Sequence, residues 1–139
     1  MAFGTLSVKG RALRYLAQRE HSRAELERKL ARHVEDGPDA SAAEQIAKAL
    51  DELGAHGLIS EARVAESVLT SQASRFGARR LRQTLQAKGL APALVAATLQ
   101  QARSTELERA RELWRRRFGA PPADAAERAR QMRFLAGRG

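Results

Sequence analysis

Cysteine is absent from the 139-residue chain, which excludes disulfide bonds and thiol chemistry and favours an intracellular protein. Histidine occurs only three times, at isolated positions, so a structural zinc site is not expected. No window is long and apolar enough to cross a bilayer, and the first residues lack the apolar core of a signal peptide. We therefore expect a cytoplasmic protein that carries no metal ion and no cofactor and does not contact a membrane.

Aromatic residues are few, six in all, and consecutive β-branched residues are rare. Aliphatic residues are plentiful and recur at helical spacing, so helix is favoured over strand along the whole chain. A catalytic interpretation needs a nucleophile with its base, a carboxylate pair in a pocket or a metal cluster, and the sequence displays none of these. The sequence therefore predicts an all-α protein that is not an enzyme.

Acidic residues are scarce in the second half of the chain. Residues 1–74 hold 10 basic and 11 acidic side chains, whereas residues 75–139 hold 15 and 5. The halves therefore carry charges of −1 and +10, which give the total of +9. Such asymmetry predicts that the second half meets a polyanion or an acidic protein surface, and nucleic acid is the commonest polyanion.

The helical pattern repeats along the chain. Leu26 and Leu30 of one predicted helix correspond to Leu81 and Leu85 of a later one, with three short helices in each copy. A third copy has two helices, and its expected last helix is missing, which indicates a shortened or naturally clipped chain. We expect an elongated, curved row of tandem repeats, because units of this size need neighbours to complete their cores. The predicted divisions are a tail (residues 1–8), repeat 1 (9–59), repeat 2 (60–104) and an incomplete repeat 3 (105–139).

Several predicted helices begin with recognisable signals. Three Ser/Thr-x-x-Glu sequences match the capping box, in which a hydroxyl and a glutamate satisfy each other's backbone amides. Proline is tolerated in a first helical turn, and glycine favours the left-handed residue that follows a last turn. The predicted capping boxes start at Ser22, Ser41 and Thr105; the other predicted starts are Ser60, Pro92 and Asp124, and the predicted glycine ends are Gly57 and Gly89.

One stretch, from Phe76 to Leu90, combines a thin apolar seam with a cationic face. Leu81 and Leu85 share one face of the predicted helix, Arg79 lies on the far side with two glutamines, and Arg80 and Arg82 flank the seam. Arginine forks suit phosphate and carboxylate alike, and basic residues recur on both predicted helices of repeat 3. The candidate binding residues are Arg79, Arg80, Arg82, Lys88, Arg115, Arg116, Arg117, Arg128, Arg130 and Arg133.

Other interpretations stay open at this point. Three short helices per repeat are also typical of a DNA-binding helix-turn-helix transcriptional regulator, and a purely structural helical adaptor is a third possibility. Trp114 and Phe118 lie at helical spacing beside Leu107 and Ala110, which favours a place in the core over stacking on bases. Flexible basic contacts predict weak, salt-dependent and non-specific binding to single-stranded and double-stranded DNA.

Four sequence stretches together resemble the RecX family of regulatory proteins. They occur in the family's order and cover the chain from about Arg11 onward, which makes the resemblance specific. The stretches are Ala12–Leu26 with Lys29 and Leu30, Gly57–Glu66, Phe76–Gln83 with Lys88–Leu90, and Arg133–Gly139.

The resemblance implies three tandem three-helix repeats and a regulatory rather than an enzymatic role. It implies a monomer that binds the RecA recombinase filament on single-stranded DNA and inhibits its ATP hydrolysis, strand exchange and extension. Recombinational repair and the SOS response would thereby be modulated. The family's basic positions map onto Arg79, Arg80, Arg82 and Lys88, and then onto the run Arg115–Arg117.

Overall fold

The computed structural model describes residues 6–73 and 75–138, and all regular structure within those ranges is helical. This confirms the predicted all-α class. The helices are α1 (Val8–Gln18), α2 (Arg23–Ala31), α3 (Ala42–Ala55), α4 (Glu61–Gln72), α5 (Ala78–Ala87), α6 (Pro92–Arg103), α7 (Glu106–Arg117) and α8 (Ala125–Gly137).

The chain divides into two compact units, one of which comprises the residues up to Val64 together with Lys88–Leu90. Helices α1, α2 and α3 contact one another in this first unit and enclose its core. The core residues recur at the helical spacing that the sequence displays, because positions three and four apart share one face of a helix. They are Ala12, Leu26, Leu30, Ile46, Leu50 and Leu53.

The second unit comprises Ala65–Ala87 and the residues from Ala91 onward. Its helices contact one another in succession, α5 with α6, α6 with α7 and α7 with α8. Burial is concentrated in α4, α5 and α6, whereas α7 contributes no fully buried residue and α8 contributes only Gln131. The buried apolar residues of this unit are Ala65, Val68, Leu81, Leu85, Val95, Leu99 and Ala102.

Most of the predicted helix starts are confirmed. Both hydrogen bonds of a capping box are present at Ser22 and at Ser41. Ser60 accepts a hydrogen bond from the Arg63 amide, and Asp124 accepts one from the Glu127 amide at 2.8 Å. Pro92 is the first residue of α6, as predicted, since its missing amide would have no partner in a first turn. Gly57 and Gly89 follow helices with φ of +73° and +70°, which glycine adopts without strain.

Three sequence predictions about helix boundaries and faces are wrong. Thr105 forms no capping box: its hydroxyl donates to the Ala102 carbonyl at 3.3 Å, because it follows the last turn of α6 so closely. The spacing of Leu26, Leu30 and Val34 predicts a helix that runs to about His33, but α2 ends at Ala31, so Val34 packs on the core from beyond the helix. Leu107, expected on the packed side of α7, has 64% of its surface exposed.

Candidate polyanion-binding surface

Helix α5 separates its apolar and cationic residues as its sequence predicts. Leu81 and Leu85 are buried, and the side chains of Arg79, Arg80 and Arg82 are exposed. We call these three residues the α5 arginines. An amphipathic helix of ten residues thereby holds three guanidinium groups at the surface of the second unit.

Two of the α5 arginines contact the C-terminal end of α8. Arg79 donates from Nη2 to the Ala136 carbonyl at 3.0 Å, and Arg80 donates from Nη1 to the Gly137 carbonyl at 3.4 Å. The Gly77 amide donates to the Arg138 carbonyl at 2.7 Å. The last carbonyls of a helix have no partner within the helix, so these donors satisfy groups that would otherwise need water.

Phe76 lies under one of these guanidinium groups. The Cζ atom of Arg80 is 4.4 Å from the centre of the Phe76 ring, and that of Arg75 is 5.4 Å away. A guanidinium group stacks on an aromatic face with its N–H bonds directed outward in its own plane. The ring therefore restrains Arg80 and, being neutral, does not cancel its charge.

Lys88 has partners of a different kind from those of the α5 arginines. It belongs to the first unit, where its Nζ atom lies 3.2 Å from Glu25 Oε1, and its side chain is only 19% exposed. The Ser22 hydroxyl donates to the Lys88 carbonyl at 2.5 Å. The structure therefore gives Lys88 a partner inside the first unit.

Glu25 is the centre of this polar network in the first unit. Its side chain is 8% exposed and accepts from Arg19 Nη2 at 2.7 Å, from Lys88 and from the Ser22 amide at 3.1 Å. Burial alone would raise the pKa of the Glu25 carboxyl, but these three hydrogen bonds outweigh burial and lower the pKa to about 2. The carboxylate therefore stays ionised throughout the physiological pH range.

His21 is buried beside the same network. Its Nδ1 atom lies 3.0 Å from the Arg19 carbonyl, so Nδ1 carries the proton and donates. Its Nε2 atom then accepts from the Lys29 ammonium at 2.8 Å. Burial lowers the pKa of His21, and the positive charges of Arg19 and Lys29 lower it further. His21 is therefore a neutral acceptor that orients Lys29.

The arginines of α7 are exposed and partly paired. Glu112 accepts from Arg116 at 3.2 Å and lies 3.7 Å from Arg115, whereas Arg117 lies over the rings of Phe118 and Phe134, both at 5.8 Å. Exposed ion pairs of this kind stabilise a helix by about 0.3–0.5 kcal/mol, so an external anion can readily replace the glutamate.

The arginines of α8, like those of α7, are exposed and only partly paired with glutamate. Arg130 donates to Glu127 at 2.8 Å, and this hydrogen bond lowers the pKa of Glu127 and raises that of Arg130. Arg130 also lies 5.5 Å from the Phe118 ring, so the structure brings it to the aromatic ring that Arg117 contacts. Arg128 and Arg133 are exposed.

Trp114 and Phe118 are half-buried and make contacts within the second unit. The Trp114 indole donates to Gln131 Oε1 at 2.8 Å, and Phe118 meets Phe134 edge to face at 5.4 Å. Gln131 is buried and also donates to the Ala120 carbonyl at 3.3 Å. These contacts favour the packing role predicted for both aromatic residues over stacking on bases.

Sequence reasoning missed the residues that hold the α5 arginines in place, namely Phe76 and the last turn of α8. The glycines of Phe76-Gly77 and Gly137-Arg138 were the available signals, since each marks a helix end that needs partners. A cavity beside Phe76, lined also by Arg109 and Arg138, measures about 50 Å³, far below the several hundred Å³ of a small-molecule site. That cavity is therefore too small for a small molecule, and the exposed arginines are the candidate site.

Other classes of site find no support in residues 6–73 and 75–138. In that part of the chain no three His, Asp or Glu side chains are grouped so that they could hold a metal ion. No helix described there is long and apolar enough to cross a membrane.

Comparisons with known proteins agree with the resemblance. Residues 60–99 match the family described as the second three-helix domain of RecX, and residues 104–139 match the third. Proteins named "Regulatory protein RecX" are similar over 134 residues: that of Leptothrix cholodnii is 58% identical, with 96% of this chain and 82% of that protein covered. That of Ralstonia nicotianae is 46% identical, with 96% and 80% covered.

Two solved structures have the same fold. A crystal structure of regulatory protein RecX has a TM-score of 0.71 at 22% identity and covers 95% of this chain and 66% of its own. RecX from Lactobacillus salivarius has a TM-score of 0.72 at 20% identity, with 95% and 85% covered.

Proposed function

The chain belongs to the RecX family of regulatory proteins, and from this premise we propose that it binds the RecA recombinase filament on single-stranded DNA and inhibits the filament's ATP hydrolysis, strand exchange and extension. In the cell it would modulate recombinational repair and the SOS response. The relatives are named regulatory proteins, which agrees with a binding role.

The observation that carries the proposal is the set of exposed α5 arginines. Two of them have neutral partners, a backbone carbonyl in each case and an aromatic ring for Arg80, so their charges are available to an external anion. Guanidinium groups bind phosphate and carboxylate through two parallel hydrogen bonds. A filament of protein on DNA presents both groups.

The remaining candidate residues support the proposal to different degrees. Arg117, Arg128 and Arg133 are exposed on the second unit and extend its positive charge. Arg115, Arg116 and Arg130 are exposed but share the carboxylates of two glutamates. Lys88 is the candidate that the geometry supports least, because its ammonium group already pairs with the buried Glu25.

Inhibition follows physically if one chain contacts several subunits of a filament. Hydrolysis of ATP in such an assembly requires neighbouring subunits to rearrange, and a protein that binds one arrangement better than the others shifts the population toward it. The basic surface supplies long-range attraction, so association should be fast at low salt and slow at high salt.

The test is ATP hydrolysis by a RecA filament on single-stranded DNA while this protein is titrated in at fixed salt. We expect a dose-dependent fall at protein concentrations below those that coat the DNA. Reversing the α5 arginines to glutamate should abolish the inhibition, because the surface then repels phosphate. Arg82→Glu alone is the cleanest single change, since no hydrogen bond of the described residues depends on its side chain.

A matched control reverses three exposed cations of the first unit, Arg14, Arg32 and Lys48, which changes the net charge by the same amount. This control should retain inhibition, and circular dichroism should show both variants helical. An equal loss of inhibition in the two variants would mean that net charge alone, and not the α5 arginines, drives binding. Absence of inhibition by the unaltered chain, together with preference for one duplex sequence, would instead support the transcriptional regulator.

A further inference from the structure

Arg79 and Arg80 are neighbours in sequence, and the carbonyls that they contact, at Ala136 and Gly137, are neighbours too. Their guanidinium groups are therefore held side by side at the end of α8. Each group has five N–H donors, and the described residues engage one donor of each group. Most of the hydrogen-bonding capacity of this pair remains for another acceptor.

Phe76 restrains the second of these groups from one face. The ring lies 4.4 Å from Arg80 Cζ, and stacking occupies the face of the guanidinium plane while its N–H bonds stay in the plane. A stacked guanidinium that also donates to a carbonyl has given up much of the rotational freedom that long side chains otherwise keep. This conformational entropy is lost when the protein folds, so binding does not have to remove it.

We propose that Phe76 and the last turn of α8 are positioning elements, which hold Arg79 and Arg80 as a preorganised clamp for one phosphate group of the DNA backbone. The proposal rests on the function proposed above, because that function makes nucleic acid a ligand of the α5 arginines. A phosphate group suits the pair because its several oxygens accept from two forks at once.

The end of α8 does not cancel this attraction. The C-terminal end of a helix carries roughly half a negative charge, whereas the clamp carries two full positive charges. The three donors at this end, two guanidinium groups and the Gly77 amide, also engage the carbonyl oxygens that would repel a phosphate most strongly. Glu106 adds one negative charge where it accepts from the Ala78 amide at 3.1 Å, and Arg75 adds one positive charge over the Phe76 ring, so the net field at the clamp remains positive.

The test separates charge from position through the salt dependence of binding. Binding of a labelled oligothymidylate is measured by fluorescence anisotropy between about 50 and 200 mM salt. Phe76→Leu removes the ring but no charge, so we expect affinity to fall roughly two- to fivefold with an unchanged slope of log K against log salt. Phe76→Tyr keeps the ring and should bind as the unaltered chain does.

Replacement of the clamp itself should behave differently. Arg79→Gln with Arg80→Gln removes two cations, so the slope should become shallower by about 0.7 for each DNA phosphate that the variant no longer neutralises. If this pair of changes leaves the slope unaltered, Arg79 and Arg80 do not contact DNA and this inference fails, whereas the proposed function is decided separately by inhibition of the filament's ATP hydrolysis. If the slope falls but Phe76→Leu binds normally, the α5 arginines contact DNA without positioning by Phe76, and only this inference fails.

A second readout uses the unaltered chain and so does not depend on the folding of any variant. Hydrogen exchange of the α8 amides is compared with and without the oligothymidylate. A clamp that keeps its carbonyl contacts should leave α8 equally or better protected. Faster exchange in the last turn of α8 on binding would mean that phosphate displaces those carbonyls, and it would overturn the proposal.

One further outcome would also overturn it. If the double Gln variant binds the oligothymidylate normally but no longer binds the RecA filament, the clamp takes a carboxylate of the protein and not a phosphate of the DNA.

Discussion

Acid should destabilise the first unit through one carboxylate, that of Glu25. The pKa of this group is 4.5 in the unfolded reference and about 2 in the folded protein, so the unfolded chain binds the proton more tightly. Its contribution to stability is therefore present above pH 4.5 and is lost as the pH falls toward about 2. Because each pKa unit corresponds to about 1.4 kcal/mol, the full loss is about 3 kcal/mol, of which about 2 kcal/mol is gone by about pH 3.

The assay is urea unfolding, followed by far-ultraviolet circular dichroism, over a series of pH values from neutral to acid. Glu25→Gln keeps a capping side chain at the third position of α2 but leaves Lys88 without its carboxylate. We expect this variant to be about 3 kcal/mol less stable at neutral pH and to lose less stability on acidification than the unaltered chain. Repulsion among the other cations affects both proteins alike.

Glu44→Gln is the matched control, since Glu44 occupies the same position of the second capping box and is exposed. Fluorescence of Trp114, the only tryptophan, reports on the second unit during the same titration. The reasoning would be refuted if Glu25→Gln and the unaltered chain lost the same free energy of unfolding between neutral pH and about pH 3.

Three further predictions concern single side chains. Because burial lowers the pKa of His21 below 6.5, stability should fall as the pH drops through 6.5, and His21→Gln should remove that dependence in urea titrations. Gly89→Ala should lower the free energy of unfolding by several kcal/mol, because the new Cβ would lie 2.7 Å from the Ala24 Cβ and the residue has a φ of +70°. Gly57→Ala has a φ of +73° but open space around it, so it should lower the free energy of unfolding by only about 1–2 kcal/mol; thermal unfolding measures both. Gln131→Leu should leave the Trp114 indole unsatisfied, cost about 1–3 kcal/mol and shift the tryptophan emission.

Helix positions and core residues were predictable because their signals are local. Leu26 and Leu30, and likewise Leu81 and Leu85, are buried where a spacing of four residues places them on one face. The capping box at Ser22 is equally local, since its partners lie three residues apart.

Long-range partners were not predictable in this way. Lys88 and Glu25 are 63 residues apart in sequence, and Arg79 and the Ala136 carbonyl are 57 apart, so no spacing rule connects them. Local reasoning therefore identified which residues are cationic on α5 but could not tell which of them already have partners. Thr105 shows the converse: a local match to the capping box was overridden by the closeness of the preceding helix.

The kind of partner, more than the number of arginines, decides what the surface can bind. In the first unit Arg23 pairs with Asp51 at 2.7 Å and Arg63 pairs with Glu20 at 3.0 Å, so those charges are compensated within the protein. In the second unit Arg79 and Arg80 are fixed by carbonyl oxygens and an aromatic ring, which orient a guanidinium group without neutralising it. Ordering a long side chain costs entropy, and for Arg79 and Arg80 that cost is met when the protein folds. Because their charges are not neutralised, they still attract an anion, which the chain itself does not supply.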